Sequence, residues 1–488
     1  MLPERGMTSS SARPWKRWQT LVWLAVVLVG SSIGGCGGGR QARPNVVLIV
    51  LDTARADFFS SYGFPDKTTP VFDRLASEGT RYSSAFSTSF WTLPGHASLF
   101  TGLYPSEARA TSETNLLPGE VSTIAEMLRD AGYRTFGSAS NPWLTEERGF
   151  HQGFEDFREV WREGPDPVRY AVEEIGVEDA VSWIEESAGG ENPFFLFLNF
   201  NSPHMPYTPP PDLLSRFVGP DRSRAQVRRL MEVAGPWKFL AGELSLSEGD
   251  FEALREMYAG EIAVTDRYVD AVVEALEREH ILDDTLVIVT SDHGENIGDH
   301  GMIDHALSMY DTTVRVPLVI RYPERFEAGA VVDDLVSLVD VVPTILDASG
   351  LIDESNRERV EHRSLCNSRR ERRPFVVAEN DRPINAVRLL SEMFPDFDTT
   401  SMNRPLRMIR TERHKLIWPI GGEPEVYDLE RDPNERIDLA GAHPELEETL
   451  TEQLRQWMST VETGTSTTPL ESLDDEALER LRSLGYIE

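Results

Sequence analysis

Asp52 and the pair Asp292-His293 are residue types that bind divalent metal ions, and each stands just past an apolar run. Asp52 follows Asn45–Leu51 and is trailed by Thr53, Arg55 and Asp57; Asp292-His293-Gly294-Glu295 follows Leu286–Val289 by two residues. Two carboxylates and an imidazole form a donor set for zinc or manganese, whereas calcium prefers oxygen donors alone. Between them in sequence lies Phe90-Trp91-Thr92-Leu93-Pro94-Gly95-His96. The proline predicts a helix beginning near Pro94, with Thr92 at its N-terminus. Backbone N–H groups and the helix dipole favour an anion there. A hydroxyl in that setting, also touching a metal, would lose its proton far more readily than in water. His96 lies roughly one turn on and can face the same pocket.

Each feature alone has an ordinary structural reading. A strand-end Asp can cap a helix, Asp-His-Gly is a common turn, and a threonine before Pro94 serves as an N-cap. Their joint order, with metal candidates at strand ends, favours chemistry.

The elements that must position these residues alternate. Asn45–Leu51, Phe194–Leu198 and Leu286–Val289 are unalternating apolar runs, suited to strands buried on both faces of a parallel sheet. Amphipathic stretches over Ser122–Asp130, Tyr170–Glu186 and Glu261–Arg278 predict helices between them. Strands alternating with helices predict a doubly wound sheet, where function gathers past the strands' carboxyl ends. Residues 205 to about 255, Pro-rich at first, read as an insertion that could shape a substrate entrance.

The N-terminus carries Arg5, Arg13, Lys16 and Arg17, then an apolar run from Leu21 to Gly30, then small residues up to Cys36. This is the layout of a signal peptide with a short apolar region, too short for a comfortable membrane span. The small residues before Cys36 resemble a lipoprotein box. The expectation is a bacterial envelope protein, periplasmic or surface-exposed, anchored to membrane through lipidated Cys36. The alternative is an ordinary signal peptide with an incidental cysteine. Net charge is −33, and loss of residues 1–35 removes four basic residues and Glu4, leaving the mature chain near −36. Such a charge disfavours nucleic acid as a partner and requires local positive charge or metal to meet an anionic ester substrate. Besides Cys36 only Cys366 remains, so no disulfide framework supports the fold.

Asn45 through Asp57, Thr69 through Gly79, and Ser98 through Pro105 resemble the opening blocks of the sulfatase family, in the alkaline phosphatase superfamily. Thr290 through Glu295, Asp299-His300-Gly301, Tyr310 and Arg315-Val316-Pro317-Leu318 are similar to its later metal-site block. Val339 through Asp347 and Glu425 through Pro433 look like its C-terminal signposts. The resemblance spans about residues 45 to 440. It implies an α/β, alkaline-phosphatase-like α/β/α sandwich with a mostly parallel central sheet and a small C-terminal antiparallel subdomain. The expected organisation is a lipoprotein signal peptide over 1–36, a tether over 37–44, and a catalytic domain over 45–350. A charged linker over 351–374, a C-terminal subdomain over 375–461 and a tail over 462–488 follow.

The reacting centre departs from arylsulfatases, whose Cys-x-Pro-x-Arg core matures its cysteine to formylglycine. Aligned on Pro94 and Thr101-Gly102, this chain has Thr92 for that cysteine and His96 for the arginine, so no formylglycine is expected. Cys366 through Arg370 spells Cys-x-Ser-x-Arg, but it lacks the proline and lies in the wrong region. The Thr-x-Pro-x-His core with Asp292-His293 resembles instead the nucleotide pyrophosphatase/phosphodiesterase branch. The resemblance further implies His204 near the substrate anion. His305 falls near where sulfatases place a lysine. Both could contact the transferring group or, with Asp304, hold a second metal. Lys415 could supply a cation to the substrate. The reading is a metal-dependent hydrolase of phosphate or sulfate esters, phosphate favoured. Metal ligands are Asp52, Thr92, Asp292 and His293; catalytic residues are Thr92, His96, His204 and His305. The alternatives are a phospho-substituent transferase acting on envelope lipid or glycan, and a non-catalytic surface lipoprotein.

Overall fold

The computed structural model describes residues 43–163, 169–231, 237–305, 307–367 and 370–461. The signal peptide with Cys36, most of the tether and the 462–488 tail lie outside the described residues. Eight strands form the central sheet, with Asn45–Leu51 in the middle between Phe194–Phe200 and Thr285–Thr290, parallel to both. Arg134–Ala139 and Asp156–Arg158 continue the sheet in parallel on one side. On the other side Leu318–Arg321 runs antiparallel, and Thr80–Tyr82 and Ala330–Val332 complete the edge.

Alternation along the middle strand sends its side chains into two cores. Val47, Ile49 and Leu51 pack with the helices Arg169–Ser187, Glu248–Arg278 and Pro70–Glu78, through residues such as Ile184, Ile262 and Leu75. Val46, Leu48 and Val50 pack with Thr92–Thr101, Ile124–Asp130 and Val341–Ala348, through Leu93, Leu128 and Ile345. Helices therefore cover both faces, as the unalternating apolar runs require. Each fully buried Val, Leu, Ile or Phe contributes roughly 1.5–3 kcal/mol, which holds the strand ends in fixed positions.

Register then aligns those ends. Leu51 pairs with Phe200, Val50 with Thr290 and Ala139 with Asn199. Asp52, Asn141, Asn201 and Asp292, each one or two residues further on, are thereby gathered at a single edge.

A separate four-stranded antiparallel sheet comprises Val376–Asn380, Leu406–Arg410, His414–Pro419 and Glu425–Asp428, covered by the helix Pro444–Thr460. The charged segment before it is partly packed. Arg357–Arg363 is helical and buries Val360, and Arg373 pairs with the buried Asp340. The long helix begins at Glu248, thirteen residues before the periodic stretch read from sequence, because Ser247 and Asp250 close a reciprocal cap there. Among the described residues no helix is long and apolar enough to cross a membrane.

Candidate active site

Thr92 is the first residue of the helix Thr92–Thr101, two residues earlier than the proline suggested. The first-turn N–H groups of a helix have no intrahelical acceptor, so the hydroxyl sits in an electropositive setting. Gly95, in the same turn, lets the helix close on the 292 loop. A Cβ there would stand 3.1 Å from the Asp292 carbonyl oxygen. A mid-helix glycine ordinarily costs about 1 kcal/mol against alanine, and here it permits the close approach.

Asp52, Thr92, His96, Asp292 and His293 are all fully buried. His293 gives its Nδ1–H to the Gly294 carbonyl at 3.0 Å, which leaves Nε2 with a lone pair. That atom lies 3.2 Å from Asp292 Oδ2, 3.4 Å from Thr92 Oγ1 and 3.9 Å from Asp52 Oδ1. Burial lowers the His293 pKa, so the ring is neutral near pH 7. Burial opposes ionisation of Asp292, but neighbouring His293 and His96 outweigh it and hold the carboxyl below its usual range. A lone pair facing carboxylates at these distances is a cation-binding arrangement, since without a cation the acceptors repel. One ligand atom from each of Asp52, Asp292 and His293 falls within 4.8 Å of the others. The residues present therefore fit a divalent metal ion.

Asparagines brace the cluster. Asn141 Nδ2 donates to Asp52 Oδ2 at 2.6 Å and lies 3.4 Å from Thr92 Oγ1. Asn199 Nδ2 lies 3.4 Å from Asp52 Oδ2 and 3.3 Å from His96 Nε2. His96 Nδ1–H is shared between the Thr92 carbonyl at 2.9 Å and Asp292 Oδ2 at 3.3 Å. Asn141 was missed in the sequence. The strand-end rule, applied to Arg134–Ala139 as well, points to it. Thr53 takes a left-handed backbone, φ 62°, which for a β-branched residue stores about 1–3 kcal/mol. Tyr258 hydroxyl donates to its carbonyl at 2.7 Å, and its N–H meets Asp292 Oδ1 at 3.3 Å. Arg55 clamps the two loops by pairing with both Asp57 and Asp299.

His204, Asp304 and His305 form a second buried group whose ligand atoms also lie within 4.8 Å of one another. His204 gives Nδ1–H to the Met205 carbonyl at 2.6 Å, so its Nε2 accepts from His305 Nε2 at 3.1 Å. His305 Nε2 is also 3.2 Å from Asp304 Oδ1. Burial pushes His305 down to about 4 and raises Asp304. The His305 ring centroid is 4.6 Å from that of His293, which joins the two groups into one site.

Two weaker sequence candidates, Lys415 and His300, and the dismissed Cys366 lie elsewhere. Lys415 is fully buried, with Nζ 2.8 Å from Asp311 and 2.6 Å from Glu435, so its charge is already engaged. His300 stacks on Tyr310 at 3.5 Å. Cys366 packs against the apolar core, and burial pushes its thiol up to about 12, which excludes a reactive thiolate near pH 7.

Comparison with known proteins identifies the scaffold. The family model described as Sulfatase matches residues 44–351, and that described as N-sulphoglucosamine sulphohydrolase, C-terminal, matches residues 298–463. The chain is 25% identical over 445 residues to the uncharacterized sulfatase YidJ of Escherichia coli (strain K12), covering 81% of this chain and 83% of that protein. It is 23% identical over 497 residues to an N-acetylglucosamine-6-O-sulfatase of Bacteroides thetaiotaomicron, covering 86% and 87%. The phosphonate monoester hydrolase of Agrobacterium radiobacter shares the fold. Its TM-score is 0.69 at 24% identity, covering 86% of this chain and 96% of that one.

Proposed function

The chain belongs to the sulfatase family of ester hydrolases, in the alkaline phosphatase superfamily, and within it we propose a metal-dependent phosphoric ester hydrolase with Thr92 as nucleophile. One observation carries this reading: Thr92 Oγ1, at a helix N-terminus, lies 3.4 Å from His293 Nε2 beside the carboxylates of Asp52 and Asp292. Asp52, Asp292 and His293, with the Thr92 hydroxyl, would hold a divalent cation, zinc or manganese before calcium. When bound, that cation supplies positive charge that acidifies the hydroxyl and offsets charge on the anion.

The chain's own groups do the rest. Thr92 Oγ1 forms a bond to phosphorus in line as the bond to the leaving oxygen breaks. The proton released by the hydroxyl ends on the departing alcohol. Water then cleaves the phosphothreonine and restores the hydroxyl, releasing inorganic phosphate from a monoester or a phosphomonoester from a diester. Asn141 orients Thr92 and Asp52, and His96 is a positioning residue that fixes Asp292 and the first helical turn. His204 and His305 face the oxygens of the transferring group. Phosphate is favoured over sulfate because a threonine sulfate has no hydrate through which to expel sulfate, as formylglycine has. Phosphorus esters suit a fold shared with a protein named as a phosphonate monoester hydrolase.

The test is a screen of the purified metal-bound protein on matched aryl phosphate, phosphodiester, phosphonate and sulfate substrates. A phosphate or phosphodiester should turn over fastest. A sulfate ester turning over fastest would overturn the choice of phosphorus. Elemental analysis should find about one equivalent of zinc or manganese per chain, the number expected for a single four-ligand site. Calcium alone would contradict the donor set. Two equivalents would assign His204, Asp304 and His305 as a second ligand set.

Cys36 is proposed to be lipidated, which would hold the enzyme at a bacterial membrane on its periplasmic or outer face. Detergent-phase partitioning of the full chain should be lost in Cys36→Ala. A variant that still enters the detergent phase would sink the anchor.

A further inference from the structure

An apolar pocket opens beside Trp91, the residue before Thr92, and beside His305. Its walls are Phe90, Trp91, Trp143, Leu307 and Leu389, and His305 and Asp304 form part of its lining. Trp91 directly precedes Thr92, and Trp143 meets it edge-on with ring centroids 5.1 Å apart. The remaining polar lining is uncharged: Ser112, Asn380 and Asn385. Among the described residues, no lysine or arginine lines it, and Asp304 is its one carboxylate. Arg148 is not among the described lining residues. Its guanidinium stacks on Trp143, 4.4 Å from the ring centroid, and donates to the Asn115 carbonyl. Trp237, from the Pro-rich insertion, also lines the pocket, in keeping with an entrance shaped by that segment.

We infer that this pocket takes the leaving group of the substrate, and that it selects an uncharged aromatic group while rejecting one that carries a second negative charge. The inference rests on the reading of Thr92 as the attacking group. Flat rings pack against aromatic side chains at little entropic cost, and neutral amides can hydrogen-bond a polar substituent. A second anion would be desolvated against indole rings, with no lysine or arginine among the described lining residues to meet it and with Asp304 close by. The chain's net charge of −33 adds long-range repulsion of the same sign. A sulfated or uronic sugar polymer is therefore a poor fit, although one relative is named for a sulfated amino sugar.

The test uses two substrates of nearly equal shape, 4-carbamoylphenyl phosphate and 4-carboxyphenyl phosphate, with the metal-bound full chain. The neutral amide should be preferred roughly 10–100-fold in kcat/KM, mainly through KM. At about 0.5 M salt, where the screening length falls to a few Å, most of the preference should persist because its source is local. Leu389→Lys, which puts a cation on the pocket wall, should narrow the preference by about tenfold or more. Equal turnover of the two substrates, or an unchanged preference in Leu389→Lys, would overturn the inference. Quenching of tryptophan fluorescence by the same compounds, measured in Thr92→Ala, gives a readout independent of turnover. If no ester is cleaved but the amide still binds more tightly, the proposed function fails and the pocket stands. If esters are cleaved through Thr92 without charge preference, the pocket fails and the proposed function stands.

Discussion

Thr92→Ala should lose turnover on the best substrate by about 10⁴-fold or more, the scale on which removing a covalent nucleophile acts. The fold should remain. Among the described residues, the hydroxyl of Thr92 makes two long contacts, 3.4 Å to Asn141 and 3.4 Å to His293, and its carbonyl still accepts from His96. Alanine is also the residue most favourable to a helix. Most metal should stay bound, because Asp52, Asp292 and His293 are untouched. Thr92→Ser should keep partial activity, since the hydroxyl and its helix-end setting survive. Loss of one buried methyl costs roughly 1 kcal/mol of stability. Thr92→Cys should not mature to formylglycine, because His96 stands where that signal needs arginine. Activity is read as single-turnover release of the alcohol, with trapping of a phosphothreonine after acid quench. If Thr92→Ala turns over near the wild-type rate with no covalent species trapped from wild type, the mechanism is wrong and an activated water is the better account.

How much of this site was legible in the sequence follows from how each residue is held. Asp52 and Asp292 could be found because they end apolar strands, and the sheet's register brings strand ends together whatever the side chains there. Thr92 could be found because Pro94 marks a helix start, although the helix begins two residues earlier. Asn141 was not found. It follows Arg134–Ala139, which opens on an arginine and contains threonine, glycine and serine, so it lacks the apolar run that flagged the other strands. Lys415 misled for the opposite reason. Family likeness placed a cation there, but Asp311 and Glu435 are far from it in sequence and their pairing appears only in the folded chain. The main apolar walls of the pocket are Phe90–Trp91, Trp143, Leu307 and Leu389. Four separated segments contribute apolar side chains that read as ordinary core until their positions are known. The 351–374 segment shows the limit of charge density as a signal, since its charged residues alternate with Val360 and Leu365, which are buried.

Asp292→Asn should abolish stoichiometric metal binding and, with it, nearly all activity. The substitution keeps the shape of the side chain and its contact with the Thr53 N–H, but removes the charge that faces His293 and His96. Changing outer partners of a metal site already costs about 10–100-fold in affinity, so loss of a charged ligand should cost at least about 100-fold. Stability should change in a way that separates this account from simple damage. In wild type, a metal ion present at about 1,000 times its dissociation constant stabilises the fold by about 4 kcal/mol, and a chelator removes that gain. In Asp292→Asn the chelator should shift Tm very little. Without metal, the variant should melt close to wild type, because relief of the repulsion between Asp52 and Asp292 offsets loss of the attraction of Asp292 to His293 and His96. The pH dependence has a fixed sign. Burial lowers His293 below its ordinary value of about 6.5. Protons therefore compete for its Nε2 only below that pH, and wild-type metal content should hold between about pH 8 and 6.5 and fall under further acidification. Elemental analysis after dialysis, paired with thermal unfolding with and without chelator, measures both effects. A variant that retains a full equivalent of metal and most of its turnover would remove Asp292 from the ligand set. A metal-free variant that melts far below metal-free wild type would show that Asp292 serves to hold the loops together and not to bind a cation.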